Sequence, residues 1–320
     1  MNNETPRGTL LVGTDQGVYR APIDYVANSR RVLATDSVLR VRRFDDVVFA
    51  ATRSGLFRSR DGGKTWTDLN VPRREVYSVT PSPDGKCLYA GTHPAHLYVS
   101  ADGGTSWREL AGFQEVPSRE TWHTPRHRNV AHIRSLSVHP DTPDRVIAGV
   151  EVGGVLVSDD CGESWEERRA GLHDERADDL QYDVHHVLAL SGDELVVSCG
   201  GGLYRTRKTG HSWTRLDDHD HPYFREAFAH NGRLYTAATR GPWAGEMDAT
   251  LFESTDQGDS LEVVSYPGDG DEFILAWAAP DRADEDVFAG THTGSVLRRV
   301  DGEWTTVGNV PARCQSLAII

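Results

Sequence analysis

The chain has 320 residues, room for one large domain or two ordinary ones, and a formal charge of −14 from 48 acidic residues against 31 arginines and 3 lysines. No basic stripe offsets repulsion from phosphates, so nucleic acid is excluded as a partner; the acid-rich, lysine-poor balance reads as a solvated surface and suits a salt-loving host. Cys87, Cys161, Cys199 and Cys314 form no CxxC pair, and no leader-like start or membrane-length apolar run is found, so a cytoplasmic protein with free thiols and no membrane partner is expected.

Taken in chain order, the sequence repeats itself. LLVGTDQGVYRAP starts at Leu10, VVFAATRSGLFRSRDGGKTWTDL at Val47, and CLYAGT with HLYVSADGGTSWREL runs from Cys87 to Leu110. RVIAGVEVGGVLVSDDCGESWEER follows from Arg145 and ELVVSCGGGLYRTRKTGHSWTRL from Glu194. That copy from Glu194 is fainter, as are two more that begin at Arg233 and at Asp286. Each copy holds short runs of Val, Leu, Tyr and Phe broken by Gly and Asp-Gly turns, the pattern of successive antiparallel strands. Another apolar strand precedes most copies, at Val76, Ile133, Val184, Arg225 and Phe273. Four strands per unit, A to D from the axis outward, predict blades that bury their faces only against each other, as in a propeller.

The first copy starts at its B strand, and the chain finishes with an unmatched strand, RCQSLAII. The prediction is an all-β, seven-bladed β-propeller of four-stranded antiparallel blades in one domain over 1–320. Residues 313–320 complete blade 1, which removes an exposed edge and shuts the ring.

Three turns read Ser59-x-Asp61-x-Gly63-x-x-Trp66, Ser100-x-Asp102-x-Gly104-x-x-Trp107 and Ser158-x-Asp160-x-Gly162-x-x-Trp165. Two further copies depart from the pattern, with Lys208 in place of the Asp and Leu261 in place of the Trp, and Asp301 with Trp304 is a shortened remnant. This motif resembles the Asp-box of BNR-repeat propellers, within the WD40/YVTN/BNR-like group that includes sialidase-type hydrolases, sortilin-like receptors and photosystem assembly factors. The box has a local structural purpose, an Asp carboxylate accepting turn amides and a Gly at positive φ, so no catalytic role is assigned to it.

Asp-box turns join strands C and D, so a ligand site is expected on the opposite face, formed by B–C loops and the starts of the A strands. Three insertions, 111–131, 169–183 and 239–251, all emerge there. Arg53, Arg134, Arg225, Arg240, His292 and Trp243 are the candidate ligand-binding residues on that face. The expected partner is a small molecule, a glycan or a protein. Trp122, Arg126, Arg128 and Trp243 are of the types that anchor protein interfaces.

His93, His96, His132 and His185, with Glu151 and Asp183, have the chemistry to hold a divalent metal, although their spacing matches no known ligand motif. Of the adjacent His185 and His186, only one is expected to face the channel, the other entering the blade packing. Glu151, Asp183 and Glu226 are the catalytic candidates if the protein is a glycoside hydrolase, which needs two positioned carboxylates, one of them protonated. The sialidase resemblance implies an arginine cluster for a substrate carboxylate, with Arg53, Arg134, Arg225 and Arg240 as counterparts. The sialidase Arg-Ile-Pro signature is absent, and no Tyr is matched to a nucleophile. Binding on the insertion-bearing face is the preferred reading and hydrolysis there the alternative.

Overall fold

In a computed structural model, residues 8–124, 126–172, 183–217, 219–241, 248–281 and 286–320 are described. They form seven four-stranded antiparallel sheets arranged as blades around an axis. Blade 1 orders Cys314–Ile319, Thr9–Thr14, Gly17–Pro22 and Arg30–Leu33 from the axis outward. Cα partners Leu10 with Ile319 and Val12 with Leu317 show the last strand closing the ring on the first, as predicted. Blades 2 to 7 start with inner strands Val38–Phe44, Val76–Pro81, Ile133–His139, Val184–Ala189, Tyr223–His230 and Ile274–Ala278. Of these, Val38–Phe44 escaped the strand reading because Arg40, Arg42 and Arg43 break its apolar run.

The core lies between blades. Leu10, Val12 and Leu317 of blade 1 pack with Ala276, Phe288 and Val296 of blade 7, while Phe49 and Leu56 of blade 2 pack with Val79 and Tyr98 of blade 3. Each fully buried Leu or Val contributes about 1.5–3 kcal/mol, which makes the blade-to-blade seams the main source of stability. Gly91 shows why the B strands read Ala-Gly-Thr. A Cβ there would come within 2.6 Å of Ile133 Cγ2 on the next blade, and Gly149 stands in the same relation to Val184 at 2.7 Å.

The Ser-x-Asp turns are self-contained. In blade 3, Ser100 Oγ accepts the Gly104 amide at 2.8 Å and donates to Asp102 Oδ1 at 2.8 Å, and Asp102 Oδ1 accepts the Thr105 and Ser106 amides at 2.9 Å. The hydroxyl of Ser106 and then its amide, with the Ser100 hydroxyl, hold the Asp102 carboxyl well below the usual range. Blade 6 keeps this turn without the Trp, through Ser254 and Asp256. In blade 5, Thr206 Oγ1 still accepts the Gly210 amide at 3.0 Å, but Lys208 offers no carboxylate. Blade 7 replaces the turn by a two-residue hairpin, Asp301 and Gly302 at φ 52° and 90°, the positive-φ pair such a connection requires.

Candidate functional site: a charged cavity on the axis

On the face away from the Ser-x-Asp turns, a cavity of about 410 Å³ sits on the axis. A recurring irregularity builds it. In all seven blades the pairing of strands A and B slips near its upper end, skipping Gln315, Leu39, Tyr77, Arg134, His185, the pair Arg225 and Glu226, and Leu275. All of these residues line the cavity. A β-bulge leaves one residue out of the ladder and re-aims its side chain, so seven equivalent bulges turn seven positions toward one space.

Glu151 is the hub of the cavity's charge network, with a side chain only 1% exposed. Arg134 Nη1 donates to its Oε2 at 2.9 Å, and His132 Nε2 lies 3.0 Å from the same oxygen. His127 Nε2 lies 3.1 Å from Oε1, and Arg126 Nη2 is 3.8 Å from it. The two imidazoles are close but off the line of a well-formed hydrogen bond, so Glu151 Oε1 and both His132 nitrogens lack a geometrically satisfied partner. Burial pushes the Glu151 carboxyl up, but contacts from His127 and His132 and the charge of Arg134 outweigh it and hold the group well below the carboxylate range.

Asp183 stands beside this hub, 2.9 Å from Arg126 Nη2 and 3.4 Å from His185 Nε2, with its Oδ1 unpartnered. Its carboxyl is also lowered: burial opposes ionisation, and His185 overrides it. Burial pushes the His132 and His185 imidazoles down to about 4, so both are neutral near neutral pH. Deeper in the channel, Arg40 Nη1 donates to Glu226 Oε2 at 2.9 Å. His186 Nε2 lies 3.6 Å from Glu226 Oε1 and 3.1 Å from Arg42 Nη2. Of the two, His185 lines the cavity and His186 does not, as expected. His186 enters the packing between blades, where its neighbours are the polar Glu226 and Arg42.

The predicted residues divide. Arg53, Arg134, Arg225, Glu151, Glu226, His132 and His185 line the cavity, and Asp183 adjoins it through Arg126. Arg240 is exposed and pairs with Asp248 at 2.9 Å, and His292 Nδ1 accepts the Phe273 amide at 3.1 Å; neither lines the cavity. Trp243 lies outside the described residues, as do 242–247 and 173–182 of the insertions. The interface anchors are also redirected. Trp122 is buried, stacked edge-on against Phe113, and donates to Ser118 Oγ at 2.8 Å; Arg126 and Arg128 hold Asp183 and Glu75.

The four proposed metal ligands are not assembled. His93 uses one nitrogen on Glu75 at 3.0 Å and the other on the His127 carbonyl at 3.0 Å, while His96 Nδ1 meets Glu109 at 2.5 Å on the rim. Among the described residues, no three His, Cys, Asp or Glu side chains converge as a metal would need. The donor set therefore does not fit a divalent ion.

Sequence reasoning did not single out Arg40, Tyr77, His127, Tyr223, Arg313 or Gln315, which also line the cavity. Val38–Phe44 carried a signal, since Arg40 and Arg42 recur at the two-residue period of a strand. Tyr77 packs on His132 at a ring distance of 4.1 Å, and Tyr223 on His185 at 4.9 Å. Burial raises the Tyr77 hydroxyl above its ordinary value.

No protein-family model matches the sequence. An oligoxyloglucan-reducing end-specific xyloglucanase of Emericella nidulans is 27% identical over 179 residues, 50% of this chain and 21% of that protein. The GH74 xyloglucanase of Xanthomonas campestris superposes with a TM-score of 0.63 at 16% identity, over 93% of this chain and 46% of that one. YCF48 bound to D1 peptide gives 0.58 at 16% identity, over 95% and 85%. This chain thus spans about a fifth of its curated relative and under half of the xyloglucanase structure. The seven-bladed propeller fold is shared with glycoside hydrolases and with a peptide-bound propeller alike.

Proposed function

We propose that this chain is an Asp-box propeller of the cytoplasm that binds a ligand in the axial cavity opposite its Ser-x-Asp turns. The observation that carries the reading is a cavity of about 410 Å³ whose wall includes buried polar atoms that make no well-formed hydrogen bond, Glu151 Oε1 and His132 Nδ1 among them. Unsatisfied buried groups are costly, so a wall that keeps them is suited to a polar ligand that supplies the missing bonds. The test is a thermal-shift panel of neutral oligosaccharides, organic acids and phosphates, run on the wild type and on Gln315→Trp, which fills the cavity from a bulged rim position. A compound that raises the melting temperature of the wild type and not of the variant is the expected result. A compound that stabilises both equally would move the site elsewhere.

Hydrolysis of a glycoside is the second reading. It draws on the relation to a xyloglucanase and on the approach of Glu151 and Asp183 to one guanidinium, Arg126. Against it stands the protonation state: both carboxyls are lowered, which leaves neither of them the acid that must protonate a leaving group. Release of reducing ends from xyloglucan oligosaccharides, lost in Glu151→Gln or Asp183→Asn, would establish this reading over simple binding.

A further inference from the structure

The charges around the cavity do not cancel. Among the described residues, its lining carries six guanidinium groups, Arg40, Arg53, Arg126, Arg134, Arg225 and Arg313, against the three carboxylates of Asp15, Glu151 and Glu226. Asp183, held by Arg126, adds a fourth carboxylate. Two positive charges remain among these described residues, and the neutral His132 and His185 do not change that sum. The excess sits inside a chain whose formal charge is −14.

The surplus has a location. Arg40 is taken by Glu226, Arg134 by Glu151 and Arg126 by Asp183. Arg53, Arg225 and Arg313 have no carboxylate within ion-pair range among the described residues, and Arg225 donates only to the Tyr223 hydroxyl, at 3.1 Å. They come from blades 2, 6 and 1, on strands and loops that meet at the axis. Burial and then the charges of Arg134 and Arg313 lower Arg225, the mark of cations crowded without a counter-charge. Leu39, Leu275 and Tyr77 supply apolar wall between them.

We propose that the cavity selects a small molecule carrying two negative charges, a phosphate monoester or a dicarboxylate, through Arg53, Arg225 and Arg313. This rests on the cavity being a ligand site. A guanidinium binds an oxyanion through paired N–H donors, and three converging on one space favour a dianion over a monoanion. The ligand's apolar carbons would lie against Leu39 and Leu275.

The experiment is calorimetric titration at low ionic strength with inorganic phosphate, succinate, acetate as a monoanion and methyl cellobioside as a neutral probe. One dianion is expected to bind at least about tenfold more tightly than acetate, and phosphate against succinate distinguishes the two chemistries. Affinity should fall with added salt, as screening of exposed charges requires. Arg53→Gln and Arg313→Gln, both at exposed positions and so compatible with folding, should each weaken that dianion about tenfold. Acetate binding as tightly as the dianions, or variants binding unchanged, would overturn the proposal. Binding of methyl cellobioside alone, lost in Gln315→Trp, would leave the cavity a ligand site and refute only its dianion preference. No binding by any probe would refute the dianion proposal, and the wider ligand panel would then decide for the cavity itself.

Discussion

The Ser-x-Asp turns and the axial cavity both hold carboxylates with hydrogen-bond donors, yet by opposite means. In a turn, Asp102 is bound by residues two to four positions away, at the protein surface. In the cavity, Arg40 reaches Glu226 across 186 positions and Arg126 reaches Asp183 across 57, with the carboxylates almost sealed from solvent. The first arrangement forms wherever its few residues occur. The second exists only once seven blades have closed, and it holds desolvated charge that tolerates no missing partner.

Removing one member of the deep pair should show this most strongly. Arg40→Met leaves Glu226 buried beside His186 and is expected to cost about 3–5 kcal/mol in urea unfolding, with much of the loss recovered in Arg40→Met combined with Glu226→Leu. A single-variant loss below about 1 kcal/mol would put the pair on the level of surface ion pairs.

Acid should sharpen the contrast next. His132 and His185 titrate near 4 in the folded protein instead of 6.5, so below 6.5 the unfolded chain takes up protons that the native chain refuses. Their contribution is complete above that value and falls away as the pH drops toward 4, on the order of 1–3 kcal/mol for each imidazole. The lowered Glu151 and Asp183 carboxyls act with the same sign further down, where the unfolded carboxylates protonate. Unfolding midpoints measured through this window should fall steadily, and less steeply in His132→Gln. A flat profile would mean that these imidazoles are not held neutral.

The turns should respond more mildly. Ser100→Ala removes the acceptor of the buried Gly104 amide and should lower stability by about 1–2 kcal/mol, leaving cavity binding intact. The smallest effect is a gain. Lys208→Asp in blade 5 restores the carboxylate missing beside Thr206 and should raise stability by less than about 1 kcal/mol in thermal unfolding. A loss in that variant would show that the blade 5 turn has a different geometry from its relatives.

Legibility followed the same division. The repeat, its turns and the closing strand were readable because Gly, Asp and Trp at fixed spacing act locally. Arg53, Arg134, Arg225, His132, His185 and Glu151, all read from the rim, line the cavity. Arg240, His292 and His96 were placed on the same face by the same logic but meet partners within their own blades rather than lining the cavity. His127 and Arg126 belong to an insertion that has no repeat partner to index it.

Strand count, blade order and ring closure were thus written in the chain itself, through periodicity and turn chemistry that work over a few residues. Which side chains face one another across the axis was decided only in three dimensions. The bulge that turns Tyr77, Arg134, His185 and Arg225 inward is a slip in pairing between two strands, and an ion pair such as Arg40 with Glu226 joins blades 186 positions apart in sequence. Electrostatics in a buried space depends on distance and desolvation, and neither is encoded in spacing along the chain.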